Sequence, residues 1–319
     1  MAKARHTEPP GAFSTESRVF DLFGFGIAAV DDLVEVAHFP QPGSKVEVLS
    51  RRRQGGGLCA TALVTAARLG LRCLYGGFLG SNELSDFVRE TFRGEGIEVL
   101  HEVDYPHAEP FHSIILVDRS TGERTILYSR DHVVEPRPPT IRADFIASSR
   151  ALFVDHLGPE GTVHACKIAH KFGIPVIADI ENAYETGVRD VMLLTDHLII
   201  PVRLGREFTG FDTPEAIVLS LAQERACTAV TDGPRGCWFV EGGRDGQVHY
   251  QPAFDVRAVD TTGCGDVFHG AYAAGLLLGM PVSEAIRFAA AAAAIKATRP
   301  GGQLGIPDRP TVEQFLRNQ

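Results

Sequence analysis

The chain has 319 residues, a formal net charge of −9 and 44% hydrophobic residues, which suits one large α/β core and argues against general nucleic-acid binding by phosphate neutralisation. Six cysteines, at 59, 73, 166, 227, 237 and 264, include no Cys-x-x-Cys pair, so they suggest neither a zinc site nor a disulfide framework and fit reduced thiols in the cytoplasm. No apolar run is long enough to span a membrane, and residues 1–18, with Pro9 and Pro10 among mixed polar residues, read as a disordered tail ahead of one folded unit at 19–319.

Residues 19–23 read as a buried strand leading into Gly24-Phe25-Gly26-Ile27-Ala28-Ala29, which has the spelling of a Gly-x-Gly-x-x-Gly/Ala dinucleotide fingerprint. A true fingerprint opens a helix, whereas residues 30–36 alternate and then meet Pro40 and Pro42, so the match is discounted. Asp31 is expected just past the end of a central strand, where open α/β sheets hold ligands; a turn aspartate is the alternative. A strand over 46–49 precedes Arg51-Arg52-Arg53, read as a solvated strand end, and then Gly55-Gly56-Gly57. Small apolar residues over 58–69 give a helix that Gly70 ends. Three glycines before a helix let a ligand lie against the backbone; a flexible linker is the competing reading.

Strand 73–78, helix 83–93 and strand 99–103 follow, and then strands 113–117 and 125–128 around the polar turn 118–123. With 33–36 and 46–49 these make four amphipathic strands, inserted at about 33–53 and 111–130, outside the α/β rhythm. A small sheet covering the site, a lid, is expected. From residue 141 the alternation is regular: helix 141–148, strand 151–157, helix 161–172, strand 175–179, helix 183–194, strand 197–201, a helix from the Thr213 cap to 224, and strand 227–231. This predicts a parallel sheet with helices on both faces. Thr231 and Gly233, at a strand's C-terminal end, are candidate nucleotide contacts, with a plain turn as the alternative. A hairpin at 237–240 and 247–251, an alanine-rich helix at 284–297 capped by Ser283, an irregular stretch at 298–307 and a short helix at 312–317 complete the reading.

The most informative stretch is Asp260-Thr261-Thr262-Gly263-Cys264-Gly265-Asp266, which runs into an apolar helix. A glycine-bearing loop at a helix start presents free N–H groups and the positive end of the dipole to an anion, most often phosphate. An aspartate beside a bound anion is unfavourable unless it has work, and accepting a proton from an attacking hydroxyl is such work; a helix cap is the alternative. No Gly-x-x-x-x-Gly-Lys-[Ser/Thr] occurs, which argues against a Walker-type ATPase.

Gly56-Gly57 before a helix ending Ala67-Arg68-Leu69-Gly70, the 260–266 loop and the four-strand insertion together resemble the PfkB, or ribokinase-like, carbohydrate kinases over nearly the whole chain. The resemblance implies a ribokinase-like α/β fold with a mostly parallel sheet and a β lid, and ATP-dependent, Mg²⁺-assisted phosphorylation of a small sugar. It implies Asp266 as the base, with Gly263, Cys264 and Gly265 as an anion hole. Asp31 matches the position that binds sugar hydroxyls, with Gly56 and Gly57 beneath the sugar. Thr231, Gly233 and Gly236 match the nucleotide loop, and Gly301 borders it. Asp260 and Thr262, with Gly301 and Gly305, match residues that hold a monovalent cation such as K⁺ in many members.

Two departures concern substrate and metal: Thr61 replaces a common asparagine, and Pro201-Val202-Arg203-Leu204 replaces an Asn-x-x-Glu that organises magnesium waters. The glycine triplet, Asp266-Val267-Phe268-His269-Gly270-Ala271 and Thr298-Arg299-Pro300-Gly301-Gly302 are most similar to the sulfofructose-kinase-type branch, with Tyr128 and His156 where sulfonate contacts are expected. His269 is read as a packed helix residue rather than a phosphate contact. The expected protein is a sugar kinase, dimeric through its lid, without nucleic-acid or membrane partners. A nucleoside or phosphosugar kinase of the same fold and a non-catalytic sugar- or nucleotide-sensing paralogue are the rivals.

Overall fold

The computed structural model describes residues 18–100 and 105–319, so the expected tail and the end of the strand predicted at 99–103 lie outside the described residues. Strand β1 (Phe20–Phe25) leads through three residues into β2 (Ala29–Val36), which pairs antiparallel with β3 (Val48–Gly56). Helix α1 (Leu58–Arg68) follows at once, and β4 (Cys73–Tyr75), α2 (Glu83–Gly94) and β5 (Glu98–Val99) complete the first α/β stretch. Strands β6 (Phe111–Asp118) and β7 (Arg124–Ser129) form the expected hairpin, and β6 adds in parallel to β2. The result is a separate sheet in the order β3-β2-β6-β7.

The regular part then runs α3 (Ala143–Ala147), β8 (Ser149–Asp155), α4 (Pro159–Lys171), β9 (Val176–Asp179), α5 (Val188–Leu193), β10 (His197–Pro201), α6 (Val202–Thr209), α7 (Pro214–Ala222) and β11 (Cys227–Thr231). Hairpin β12 (Cys237–Glu241) and β13 (Val248–Gln251) closes one edge. Helices α8 (Cys264–Leu277), α9 (Val282–Ala297) and α10 (Arg309–Arg317) end the chain. The nine-stranded sheet has the order β13-β12-β11-β10-β9-β8-β1-β4-β5, parallel except for β12 and β13. Both faces are covered, which is why Leu152-Phe153-Val154 and Leu198-Ile199-Ile200 are apolar without alternation. On one face lie α1, α2, α8, α9 and α10; on the other, α3 to α7. Close approach of α1 and α8 depends on Gly270, where a Cβ would stand 2.8 Å from Ala62 Cα and Thr65 Cβ.

Several boundaries differ from the sequence expectation. The lid strands begin at Ala29 and reach Gly56, so Asp31 and Arg51 to Arg53 lie inside lid strands rather than past a sheet strand or at a solvated end. Helix α5 is shorter than predicted, and α6 was not expected because Gly205 breaks its pattern; Gly205 is there because a Cβ would press on Ile217 of α7. Ser283 does not cap α9, which starts at Val282 behind Pro281. Helix α10 begins earlier, where the Asp308 side chain accepts the Thr311 N–H at 3.0 Å. Among the described residues no helix is long and apolar enough to cross a membrane.

Candidate active site

The α8 entry is a cradle of open backbone amides. Gly263, the residue before α8, has φ 75°, a left-handed conformation that glycine adopts without strain. Among the described residues the N–H groups of Gly263, Gly265 and Asp266 donate to no protein acceptor, as expected for a first helical turn. Cys264 is the exception, since its N–H bonds to Thr261 O at 3.2 Å. Gly265 is exposed and leaves the cradle accessible. Asp266 stands in the same turn, half-buried, and its carboxylate accepts no hydrogen bond from the described residues. The alternative reading of Asp266 as a cap fails, because the cap position is Gly263 and no side chain caps this helix.

Asp266 sits among other carboxylates. Asp155 and Asp179 end the adjacent parallel strands β8 and β9 and are register partners at the sheet's C-terminal edge. Asp155 is fully buried and accepts the N–H groups of Ile27 at 2.6 Å and Leu157 at 3.0 Å, locking the β1–β2 connection to the sheet. Glu181 follows β9 and opens to the cleft; a Cβ on Gly265 would lie 3.8 Å from its Oε1. Loss of hydration, followed by the charges of Glu181, Asp155 and Asp31, raises the Asp266 carboxyl well above the ordinary aspartate range, while Lys296 opposes the shift. Loss of hydration also raises Glu181 and Asp179. His269 is 4% exposed, with Nδ1 2.8 Å from Gly265 O and Nε2 3.1 Å from Ile199 O. It therefore packs beneath the cradle and holds its backbone.

One face of the small sheet carries Asp31, whose charge acts on Asp266. Gln54, Asp31, Ser113 and Tyr128 are register partners across β3, β2, β6 and β7 and so share a face. Burial raises the Asp31 carboxyl, and the Ser113 hydroxyl opposes that rise. The Asp31 carboxylate occupies the space where a side chain on Gly56 would lie, which explains the glycine. Asp32 points to the other face, where the Arg53 guanidinium bonds it at 2.9 and 3.0 Å and His112 Nε2 lies 2.9 Å away. The Arg53 guanidinium, with smaller help from His112, holds the Asp32 carboxyl down at about 2. Asp31 faces the site, and Asp32 fastens the lid.

Gly57 precedes α1 with φ 90°, and a Cβ there would strike Ala28. Thr61 is buried behind the glycines, and its hydroxyl accepts the Gln303 amide at 3.2 Å rather than opening freely to the cleft. Gln54 is 4% exposed, and neither of its amide atoms has a hydrogen-bond partner among the described residues. A Cβ on Gly301 would stand 2.8 Å from its Oε1. The late loop reaches the cradle as well: a Cβ on Gly263 would lie 3.5 Å from Gly302 Cα and 3.6 Å from Asp266 Oδ2.

Thr231 ends β11 beside Pro201 at the end of β10, at the same sheet edge as the cradle. Gly233 opens a 3-10 turn, and Gly236 closes it with φ 95°, in a place where a Cβ would run into Gln251 O. Gly236 is thus demanded by the β11–β12 turn itself. Arg203, in the first turn of α6, donates to the backbone O of Glu181 at 2.8 Å, joining the stretch that lacks Asn-x-x-Glu to the segment that carries this carboxylate. Among the described residues no three His, Cys, Asp or Glu side chains converge as a metal cage. A carboxylate such as Glu181 beside open backbone amides nevertheless fits Mg²⁺, which binds through few protein oxygens together with phosphates and water.

The residues matched to a monovalent cation do not fit one. Asp260 O accepts the Lys296 ammonium at 2.8 Å, Asp260 Oδ1 accepts the Thr262 N–H at 2.9 Å, and Asp260 Oδ2 accepts the Gly301 N–H at 2.8 Å. The Thr262 hydroxyl accepts the Arg124 guanidinium of β7 at 2.7 Å. Burial opposes the charge of Asp260, but these hydrogen bonds keep its carboxyl below the usual range. Gly305 backs onto the end of α9, where a Cβ would lie 3.2 Å from Lys296 O. Protein donors already bond Asp260 and the Thr262 hydroxyl, which counts against the expectation of K⁺ at Asp260, Thr262 and Gly305.

Sequence reasoning missed Asp155, Asp179, Glu181, Gln54, Arg124 and Lys296. The rule that ligands gather at the C-terminal ends of parallel strands would have found the first two.

Comparison with known proteins identifies the family. Residues 21–309 match the pfkB family carbohydrate kinase model. A ribokinase of Haemophilus influenzae is 30% identical over 303 residues, covering 92% of this chain and 97% of that protein. A 5-dehydro-2-deoxygluconokinase of Bacillus subtilis is 21% identical, covering 95% and 98%. Among solved structures, Thermotoga maritima ribokinase superposes with a TM-score of 0.78 at 28% identity, covering 94% of this chain and all of its own. Arabidopsis thaliana ribokinase, complexed with ribose and ATP, superposes with a TM-score of 0.79 at 21% identity, covering 93% and 99%. The chain belongs to the pfkB family of carbohydrate kinases, phosphotransferases whose acceptor is a sugar hydroxyl.

Proposed function

We propose that the protein transfers the γ-phosphoryl group of ATP to a hydroxyl of a small sugar or sugar derivative, with Asp266 as base and the open backbone amides of Gly263, Gly265 and Asp266 as the anion hole in the 263–266 turn. The observation that carries this reading is the pairing of a carboxylate without a hydrogen-bond donor with free amides in the first turn of α8, opposite Asp31 of the lid. Asp31 holds hydroxyls of the sugar above Gly56 and Gly57, with Thr61 behind them. Asp266 takes the proton of the attacking hydroxyl as the bond to phosphorus forms. The open amides of Gly263, Gly265 and Asp266 receive the charge that develops on the phosphoryl oxygens, and Cys264 supports the turn. ATP lies along the sheet edge at Thr231, Gly233 and Gly236, with Gly301 at its border. Glu181 is the residue that would hold Mg²⁺, which when bound neutralises phosphate charge. The lid excludes water that would otherwise compete with the sugar.

A coupled ADP-release assay against ribose, 5-dehydro-2-deoxygluconate, 6-deoxy-6-sulfofructose, phosphosugars and nucleosides tests the proposal. Turnover of at least one unphosphorylated sugar is expected; turnover of nucleosides alone would overturn it. The buried, unpaired thiols fit a reducing cytoplasm.

We also propose a homodimer through the lid. Ile114 and Leu127 are register partners on the face away from Asp31, exposed by 41% and 54%, and such side-by-side apolar residues suit a protein contact. Sedimentation velocity is expected to give a dimer that Ile114→Lys dissociates; a wild-type monomer would contradict this.

A further inference from the structure

Behind the anion cradle lies a buried positive charge, Lys296. Lys296 is in the last turn of α9 and is fully buried, and its Nζ donates to Asp260 O at 2.8 Å. Its helix neighbours Ala289, Ala291 and Ala292 are also fully buried, so apolar side chains serve at comparable positions of this helix. An ammonium removed from water is costly unless it is paired. The groups around it offset part of that cost, and burial still leaves the Lys296 pKa below the ordinary lysine value. The Asp260 and Asp266 carboxylates and the Cys264 thiol favour the charged form, while burial and the Arg124 guanidinium oppose it.

The neighbouring oxygens are claimed by fixed donors as well. Both Asp260 carboxylate oxygens and the Thr262 hydroxyl are taken by Thr262 N–H, Gly301 N–H and Arg124. Lys296 thus joins α9 to the start of the 260–266 loop, and the Gly301 N–H joins the late loop to the same aspartate. A mobile ion at this place must be bound before it can order the loop, whereas a tethered ammonium is always present and needs no reorganisation during the reaction.

We infer that the Lys296 ammonium is a built-in monovalent cation that orders the 260–266 loop, so that catalysis by this kinase is independent of potassium. The inference rests on the reading of 263–266 as the anion hole.

The test compares wild type, Lys296→Ala and Lys296→Met in KCl, NaCl and N-methyl-D-glucamine chloride at equal ionic strength. Phosphorylation of the sugar found in the panel assay and substrate-free thermal melting are both measured. Wild type is expected to show the same rate and melting temperature in all three salts. Lys296→Ala is expected to lose about a hundredfold in kcat, to recover part of it in KCl or NH₄Cl, and to gain a KCl-dependent rise in melting temperature. Lys296→Met, which fills the space with an uncharged stem, is expected to lose rate without rescue. Saturable activation or thermal stabilisation of wild type by KCl, or a full rate for Lys296→Ala in N-methyl-D-glucamine chloride, would overturn the inference. Should no sugar be turned over in any salt, the sugar-kinase proposal fails, while the substrate-free melting of wild type still decides the cation question.

Discussion

Asp266→Asn is expected to lower kcat by about 10²- to 10⁴-fold, the usual contribution of a positioned general base, with nucleotide binding as tight as in wild type or tighter. The substitution keeps the side chain's shape and removes only its ability to take a proton and its charge. Asp266 is the α8 residue that faces the cradle with a carboxylate accepting no hydrogen bond, so the change breaks no internal bond and leaves the turn set by Gly263 in place. It also removes a negative charge from a site already crowded by Glu181, Asp155 and Asp31, and that relief favours the anionic nucleotide. Rapid-quench measurement of transfer and calorimetry with ATP and Mg²⁺ together check the claim. A parallel loss of nucleotide affinity would mean that Asp266 shapes the cradle instead of acting on the sugar.

Asp31→Ala is expected to raise the sugar KM by about tenfold to a hundredfold, the loss that goes with a charged hydrogen bond to substrate, while the KM for ATP stays constant. The split follows from position. Asp31 lies in the lid row with Gln54, Ser113 and Tyr128, whereas Thr231 and Gly233 lie at the edge of the large sheet. Asp32→Ala makes the useful contrast. That side chain pairs with Arg53 and His112 on the opposite face, so its loss loosens the lid and is expected to alter both KM values and the stability. Steady-state kinetics with each substrate varied in turn separate the two cases; equal effects of Asp31→Ala on both KM values would contradict the assignment.

The central loop was legible in the sequence because nearly every residue in it answers to a local rule. Gly263 supplies a left-handed turn, Gly265 leaves the cradle accessible, and the apolar run behind Asp266 can only be a buried helix. The lid hairpin was legible for the same reason, through its turn and alternation. Asp31 was expected past the end of a sheet strand but lies inside β2, since a link of only three residues between β1 and β2 hides the passage from one sheet to the other. Lys296 could not be read at all: a lysine in the last turn of a helix is ordinarily a solvated partner of the dipole, and its burial arises only when α9 meets the 260–266 loop. Arg124 and Gln54 were hidden for a similar reason, because the Thr262 hydroxyl that Arg124 bonds and Gly301 and Gly302 packed near Gln54 lie in the late third of the chain. Local geometry can be read from neighbours in sequence, whereas contacts between the lid and the C-terminal helices need the fold.

The most direct measurement is kcat/KM for the sugar as a function of pH, at saturating ATP and Mg²⁺, for wild type and Asp266→Asn. Because loss of hydration and the neighbouring carboxylates raise the Asp266 pKa, its base form appears only as pH climbs through that raised value. Wild-type kcat/KM is therefore expected to fall on the acid side at a pH above the ordinary aspartate range, and the residual activity of Asp266→Asn is expected to lack that limb. A wild-type profile that stays flat down to the ordinary aspartate range, or an acid limb that survives unchanged in Asp266→Asn, would contradict the assignment of Asp266 as the base.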